Sequence, residues 1–341
     1  MEHIGIIGAG AWGTALAATI RRAGRRVTLW AREPDVAETL AREGHNPWYL
    51  PGVTLPDGIA ATSDPATAAA ADALLLVVPA QHLRGVAERL APHRREGVPL
   101  VVCAKGIEQA TGALMSEAVA AAVPGAPVAV LSGPTFAGEV AAGLPTAVTL
   151  ACADAALEDD LVHAVGTRTF RPYFSDDVIG AQVGGAVKNV MAIACGIVHG
   201  RRLGENARAA LITRGLAELT RLATALGGRP QTLMGLSGLG DLTLTCNAMQ
   251  SRNFSLGAAL GEGQTLAAVL GERCSVAEGV YSAGPVTAMG ERLGVELPVC
   301  QAVDGVLNHD KSIDRVIQDL LARPFRAEAA MTAPAREPDS R

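Results

Sequence analysis

Aromatic side chains are scarce in this chain: Phe, Trp and Tyr together make up 3% of its 341 residues. A core must therefore be assembled from Ala, Leu and Val, within an apolar share of 49%. Charge is sparse too, at 18%, and that balance excludes intrinsic disorder over most of the length. There is no surplus of positive charge. Lys and Arg number 29 against 34 Asp and Glu, a net charge of −5. This argues against a general nucleic-acid coat and leaves room for a local basic pocket that takes an anionic small molecule. The six cysteines lack metal or disulfide spacing, the closest pair being 26 residues apart. Scattered thiols on apolar segments suit a reducing cytosol. The seven histidines lack the setting of a catalytic triad or a zinc helix and read as structural or surface residues. Two uncharged runs lack what a targeting or spanning segment needs. Ile4 to Ile20 has no basic segment before it and contains Gly5, Gly8, Gly10 and Gly13. Ala118 to Gly138 is broken by Pro124, Pro127 and Pro134.

What is present has a rhythm. Ile4–Ile7, Val27–Trp30, Ala73–Val78, Pro99–Cys103 and Val128–Leu131 are continuous apolar runs without alternation, which suits parallel strands buried on both faces. Ala147–Leu150 and Thr169–Phe174 read as further strands. Helical patterns lie between the runs: Ala11–Ala23 ends at Gly24, and Leu83, Val86 and Leu90 share one face. Strand–helix–strand repetition predicts an α/β, doubly wound sheet. After about Asp176 helices dominate, over Val178–Val198, Glu205–Leu226, Ala277–Leu293 and Val299–Asn308. The expected organisation is a dinucleotide-binding domain over residues 1–180, a helical substrate and catalytic domain over 181–323, and a disordered tail over 324–341 rich in proline, small and charged residues.

Gly8-Ala9-Gly10-Ala11-Trp12-Gly13 is a G-x-G-x-x-G that follows an apolar strand and opens a helix. That context predicts a Rossmann-type phosphate turn: Gly8 at the tight turn, Gly10 beneath a pyrophosphate, Gly13 at the helix–strand contact. The free N–H groups and dipole of the helix N-terminus would hold the phosphates. Arg32 follows the second strand about 20 residues on, where an arginine suits the 2′-phosphate of NADP and an acid would suit the 2′-hydroxyl of NAD. Glu33 sends the opposite signal, so NADPH is favoured and NADH stays open. Lys105 follows the run Leu100–Cys103 and would point into the crevice beyond the strand ends. In Gly185–Ala192 a Lys188-Asn189 pair interrupts an apolar helix. A buried ammonium is expensive, so Lys188 is a candidate acid–base, with burial and nearby cations expected to lower its pKa toward a working range. The alternative is a lysine that reaches from a buried helix to solvent.

These segments, with Tyr49-Leu50-Pro51-Gly52, Leu131-Ser132-Gly133-Pro134-Thr135-Phe136-Ala137, Gly238-Leu239-Gly240-Asp241-Leu242, Ser251-Arg252-Asn253 and Val276-Ala277-Glu278-Gly279, stand in one order from Ile4 to about Arg323. In that order the chain resembles the bacterial-type NAD(P)-dependent glycerol-3-phosphate dehydrogenases. The resemblance implies interconversion of dihydroxyacetone phosphate and sn-glycerol 3-phosphate by hydride transfer with NADPH or NADH, feeding glycerophospholipid synthesis in the cytoplasm. It implies Lys188 as the acid–base that protonates the carbonyl oxygen, a sensible role because ketone reduction builds negative charge there. It implies that Lys105 binds and polarises the substrate, that Asp241 contacts its hydroxyls or orients Lys188, and that Ser251, Arg252 and Asn253 cradle the phosphate, the guanidinium by a two-point grip. Gly133, Thr135 and Ala137 would line the substrate and nicotinamide side. Gly8, Gly10, Ala11, Trp12, Gly13, Arg32, Tyr49, Lys105, Arg252, Val276 and Glu278 would meet the coenzyme, with Trp12 stacking near the pyrophosphate. No metal is implied. The expected partner is the small-molecule substrate, with no nucleic acid and no membrane insertion; a homodimer is left open.

The chain departs from the family's pattern at three points. Ala11 stands where a hydroxyl residue is usual, Glu33 where a basic or small residue is, and Phe254 where a basic residue extends the phosphate rim. Two other readings compete: a β-hydroxyacid dehydrogenase, which also pairs such domains with a helix lysine but prefers carboxylates, and a coenzyme-binding sensor without turnover.

Overall fold

The structure, a computed structural model, describes residues 1–271 and 276–324. The chain forms two compact units, one of Met1–Lys105 with Met115–Val178, the other of Gly106–Leu114 with Ile179 onward. The single break expected after residue 180 lacks the excursion of Gly106–Leu114. The expected disordered tail lies outside the described residues from 325 on.

In the first unit, β1 (His3–Ile7) leads to α1 (Ala11–Arg22), β2 (Arg26–Trp30), α2 (Pro34–Glu43), the short hairpin β3 (His45–Asn46) and β4 (Leu50–Thr54), and β5 (Ile59–Thr62). Next come α3 (Pro65–Ala69), β6 (Ala73–Leu76), α4 (Leu83–Leu90), β7 (Leu100–Val102), α5 (Met115–Ala122), β8 (Val128–Ser132), α6 (Ala137–Ala141), β9 (Thr146–Cys152), α7 (Glu158–Val165) and β10 (Phe170–Ser175). The strand order of the main sheet is β10-β9-β8-β7-β6-β1-β2-β5. Around β1 this is the doubly wound order of dinucleotide-binding folds, with the reversal between β1 and β6. The apolar runs expected to be parallel, β2, β1, β6, β7 and β8, are parallel, and β5, which was not expected, joins β2 in the same sense. β9 pairs antiparallel with β8, a reversal that no run of apolar residues could announce. Helix ends obey local chemistry. Pro34 opens α2 with a preset φ, and Gly44 closes it in the left-handed conformation at φ 64°. At the other end of the sheet Asp72 accepts from the backbone N–H groups of Glu2 (2.8 Å) and His3 (3.0 Å) and from Arg95 (2.6 Å). These donors hold its carboxyl well below the usual carboxylate range.

The second unit is helical among its described residues: α8 (Val178–Gly200), α9 (Glu205–Ala225), α10 (Pro230–Leu233), α11 (Asp241–Cys246), α12 (Arg252–Gly261), α13 (Leu266–Gly271), α14 (Glu278–Leu293), α15 (Pro298–Asn308) and α16 (Ile313–Leu321). A π-helical turn, Leu236–Gly240, runs into α11. α8 is long and apolar enough to cross a membrane by composition, yet 89% of its most apolar window is buried, so its surface is spent on the core of this unit. Its small residues make that burial dense. A Cβ on Gly196 would stand 2.1 Å from the carbonyl oxygen of Phe254, and one on Gly257 would stand 2.1 Å from that of Ile193. α8 and α12 therefore meet backbone to backbone, which is how a chain poor in aromatics fills space. Among the described residues, the buried members of each apolar cluster include one aromatic ring, Phe170 in the first unit and Phe254 in the second.

Glu218 of α9, fully buried, accepts from the N–H groups of Val299 (2.8 Å) and Cys300 (3.2 Å) and so caps α15 from outside. Burial pushes its pKa up to about 7, with those two N–H groups and Arg221 pulling the other way. Five cysteines are free and buried; Cys274 lies outside the described residues. Cys195 and Cys246, 51 residues apart in sequence, hydrogen-bond each other, and with burial that contact raises the Cys246 thiol's pKa.

Candidate active site

The phosphate turn is a backbone construction. Gly8 takes φ 119°, where a side chain would be strained, and a Cβ there would press 2.7 Å from the carbonyl oxygen of Val77 just beyond β6. The turn thus lies at the sheet's reversal point, where ligands of such folds bind. A Cβ on Gly13 would stand 1.8 Å from the carbonyl oxygen of Gly8, so the helix can pack on the turn only through glycine. Above Gly10 a Cβ would meet nothing within 4 Å. No side chain caps α1 at Gly10, and the buried Nε1 of Trp12 has no partner among the described residues. Open space, an uncapped helix N-terminus and an orphaned donor fit an anionic dinucleotide backbone. Trp12 packs beside Phe170, ring centroids 6.4 Å apart, so part of its face serves the core. Ala11 is the first residue of α1 and adds no hydroxyl, as its identity requires.

The hairpin carrying Tyr49 is fastened to this turn by a residue that sequence reasoning missed. Asn46, fully buried, donates from Nδ2 to the carbonyl oxygen of Ala9 and to Thr14 Oγ1, both at 2.8 Å, and its Oδ1 accepts from the Tyr49 N–H at 3.1 Å. Tyr49 itself stands 39% exposed. At the end of β2, Arg32 donates from Nε to Glu33 Oε1 at 2.8 Å, with Nη2 on the same oxygen. Both side chains are open to solvent. In the same unit Lys105 Nζ donates to the carbonyl oxygen of Gly133 at 2.8 Å. Thr135 Oγ1 donates to that oxygen at 3.3 Å, and Gly133 adopts φ 144°. Lys105, Gly133 and Thr135 are thus one cluster at the end of β8. Ala137 begins α6 immediately after.

In the second unit Lys188 sits midway along α8 with its side chain 8% exposed. Its Nζ donates to Asp241 Oδ1 at 2.6 Å and to Thr245 Oγ1 at 2.8 Å. Asp241 is fully buried. The group that holds the ammonium is thus the Asp241 carboxylate. Thr245 donates its own proton to the Asp241 carbonyl oxygen at 2.6 Å, so a lone pair of its hydroxyl faces Lys188. The π turn delivers Asp241 to the first residue of α11, and Thr245 follows one helical turn later, on the same face. Thr245 was not foreseen: a threonine four residues after an aspartate on a short helix carries no distinctive mark. Lys188 does not reach solvent as the snorkelling alternative would have it.

Ser251, Arg252 and Asn253 share a turn but not a direction. Ser251 is the N-cap of α12, its Oγ accepting from the Phe254 N–H at 3.2 Å. Asn253 is buried; its Nδ2 donates to Asn189 Oδ1 and its Oδ1 accepts from the Gly279 N–H, both at 2.9 Å. Asn189 donates back to the Gly185 carbonyl oxygen at 3.3 Å. This relay ties α12 to the helix of Lys188 and to the first turn of α14. Arg252 points outward and is solvent-exposed, yet enough protein surrounds its guanidinium for desolvation to lower its pKa, while Glu278 opposes that shift. Val276 precedes α14 and Glu278 opens it. Phe254 is core: it packs on His199 with centroids 5.5 Å apart, and the Arg208 guanidinium lies 6.0 Å from its ring centre. Among the described residues no cluster of three or more His, Cys, Asp or Glu is placed to hold a metal ion.

The family model for the NAD-dependent glycerol-3-phosphate dehydrogenase N-terminus matches residues 3–158, and that for the C-terminus matches 177–318. Glycerol-3-phosphate dehydrogenase (NAD(P)+) of Rhodospirillum rubrum is 62% identical over 329 residues, 96% of this chain and 94% of the relative. That of Caulobacter vibrioides is 56% identical over 328 residues, 96% and 99% of the two chains. The crystal structure of glycerol-3-phosphate dehydrogenase from Coxiella burnetii superposes with a TM-score of 0.90 at 40% identity, covering 94% of this chain and 99% of that one.

Proposed function

The chain belongs to the NAD-dependent glycerol-3-phosphate dehydrogenase family, and from that premise we infer that Lys188 holds and moves the proton of its reaction. The protein is an oxidoreductase that interconverts dihydroxyacetone phosphate and sn-glycerol 3-phosphate with NADH or NADPH and supplies glycerophospholipid synthesis. The nicotinamide coenzyme, when bound, gives or takes the hydride at C2 of the substrate.

Reduction leaves negative charge on the carbonyl oxygen, and a cation that can release a proton is the matching partner. The observation that carries the reading is the buried Lys188 ammonium, fixed at two points by Asp241 and Thr245. In reduction Lys188 gives a proton from Nζ to the oxygen; in oxidation it takes the hydroxyl proton back. Asp241 balances its charge, and Thr245 aims it. Lys105, anchored on the Gly133 carbonyl with Thr135 beside it, is assigned to substrate binding and polarisation. Arg252 is assigned the phosphate grip, because its guanidinium faces outward from the start of α12. Ser251 can add a donated hydroxyl. Asn253 serves by fixing Arg252 relative to Lys188 through Asn189.

For the coenzyme, the turn Gly8–Gly13 with Ala11 and Trp12 would hold the pyrophosphate and Arg32 the adenosine 2′ position. Tyr49, Ala137, Val276 and Glu278 complete the set. Residues 1–180 are taken as the coenzyme domain and 181–323 as the catalytic one. A cytoplasmic location and freedom from membrane insertion complete the reading, and a homodimer is left open. The burial of α8 within its own unit supports the second of these, and sedimentation and cell fractionation test the others.

The deciding experiment compares the wild type with Lys188→Ala, following coenzyme oxidation with dihydroxyacetone phosphate and coenzyme binding by titration. The expected result is lost turnover with coenzyme affinity kept. A variant that retains more than roughly a tenth of wild-type kcat removes Lys188 from the role of proton donor.

A further inference from the structure

We propose that Glu33 sets the coenzyme selectivity of this protein by holding the Arg32 guanidinium in competition with the 2′-phosphate of NADPH. The proposal rests on the reading of Arg32 as the residue at the adenosine 2′ position. Glu33 is the N-cap residue of α2, the position from which a side chain ordinarily turns back to its own helix N–H groups. It makes no such cap. Its Oε1 instead accepts from two nitrogens of Arg32, Nε at 2.8 Å and Nη2. The donors that a phosphate would use are therefore already engaged by a carboxylate of the same chain. Asp35 in the first turn of α2 adds a second negative charge two residues on, and the Arg32–Glu33 pair is solvated enough for a phosphate dianion to open it.

The consequence differs for the two coenzymes. With NADH the pair can stay intact, since a ribose hydroxyl does not need the guanidinium. With NADPH the pair must open, and the carboxylate left beside the phosphate repels it. An exposed ion pair between neighbours is worth at most about a factor of five, ~1 kcal/mol at 1.4 kcal/mol per decade. Repulsion adds a further salt-dependent share. The outcome is a site that accepts both coenzymes, with NADPH held back from the preference Arg32 alone would give it.

The test uses the full chain and two fragments that differ only at the 2′ position, 2′,5′-ADP and 5′-AMP, with dissociation constants read by calorimetry at low salt. Glu33→Gln is expected to tighten 2′,5′-ADP about five- to tenfold and to leave 5′-AMP unchanged. Arg32→Ala is expected to weaken 2′,5′-ADP at least about tenfold and to leave 5′-AMP unchanged. In the double variant the gain from Glu33→Gln should vanish. If Glu33→Gln changes nothing while Arg32→Ala weakens 2′,5′-ADP, Glu33 is not a selectivity residue and Arg32 keeps its role. If Arg32→Ala changes nothing, the placement of Arg32 fails first. If the gain persists undiminished without Arg32, Glu33 acts by repulsion alone and the competition is refuted. Both side chains are exposed, so all three variants should fold.

Discussion

The phosphate turn of the first unit and the lysine site of the second are built from opposite materials. Around Gly8, Gly10 and Gly13 what matters is the absence of side chains: the turn closes only because Gly8 and Gly13 carry no Cβ, which would collide at 2.7 Å and 1.8 Å, and it stays open above Gly10 because nothing fills that space. Around Lys188 what matters is side-chain functional groups, a carboxylate and a hydroxyl, placed within 2.8 Å of one nitrogen. The first kind of site is damaged by addition and the second by subtraction. Two carboxylates repeat the contrast. Asp72 and Glu218 each grip two backbone N–H groups. Asp72 also has Arg95 and keeps water, so its pKa falls; Glu218 is sealed in, so its pKa rises. A shared pair of backbone donors is compatible with opposite signs when a guanidinium helps one carboxylate and desolvation decides the other.

The largest effect that would sharpen this contrast is subtraction at Lys188. Lys188→Met should lower kcat by roughly a thousandfold, within the range of general acid–base catalysis, and also lower Tm because the buried Asp241 carboxylate loses its ammonium partner. Adding Asp241→Leu should restore much of the Tm and none of the turnover, measured by melting and steady-state kinetics on the same samples. A double variant that regained activity would break the assignment.

Next in size is the pH dependence. Glu218 has a raised folded pKa, so its contribution to stability is full below the unfolded value near 4.5 and declines as pH rises through about 7. The stability of the wild type relative to Glu218→Gln should therefore fall by on the order of 2 kcal/mol between about pH 5 and pH 8. Asp72 has the reverse sign: its contribution is present above the unfolded value near 3.8 and is lost as pH falls below it. Urea unfolding of Asp72→Asn and Glu218→Gln across pH should show the two slopes, and parallel slopes would refute the contrast.

Addition at the turn comes third. Gly10→Ala should fold with an unchanged Tm, because its Cβ meets nothing, and should weaken NADH and NADPH alike by about ten- to a hundredfold by intruding where the pyrophosphate belongs. Unaltered coenzyme affinity would place the pyrophosphate elsewhere. The smallest effect is expected at Thr245→Val, which keeps the shape and removes the hydroxyl that accepts from Lys188 and donates to the Asp241 carbonyl. A loss of about fivefold in kcat with little change in KM fits the worth of one aimed hydrogen bond, and a change confined to KM would move Thr245 from aiming Lys188 to binding substrate.

How much of this was legible in the sequence follows from the same division. Strands β1, β2, β6, β7 and β8 announce themselves because burial on both faces demands unbroken apolar runs. β5 does not: Ile59-Ala60-Ala61-Thr62 is a short edge strand that needs only one partner. The hairpin His45–Thr54 hides behind Pro51 and Gly52, and the direction of β9 has no signature at all. Lys188 is conspicuous because a charge in an apolar helix must be explained. Asn46 and Thr245 are not, since their value lies in partners 37 residues away at Ala9 and 57 residues away at Lys188. The motif Ser251-Arg252-Asn253 was legible as a unit, but a three-letter run cannot say that its first member caps a helix and its third turns inward.

The excursion of Gly106–Leu114 bears on how this protein can be divided and inherited. Ile107 and Leu114, 1% and 3% exposed, belong to the apolar core of the helical unit, although they are encoded ahead of β8. A gene cut after codon 178 would therefore export a helical module with two of its core residues left behind. Recombination that shuffles whole modules between dehydrogenases would be penalised at that point unless the nine-residue loop travelled too.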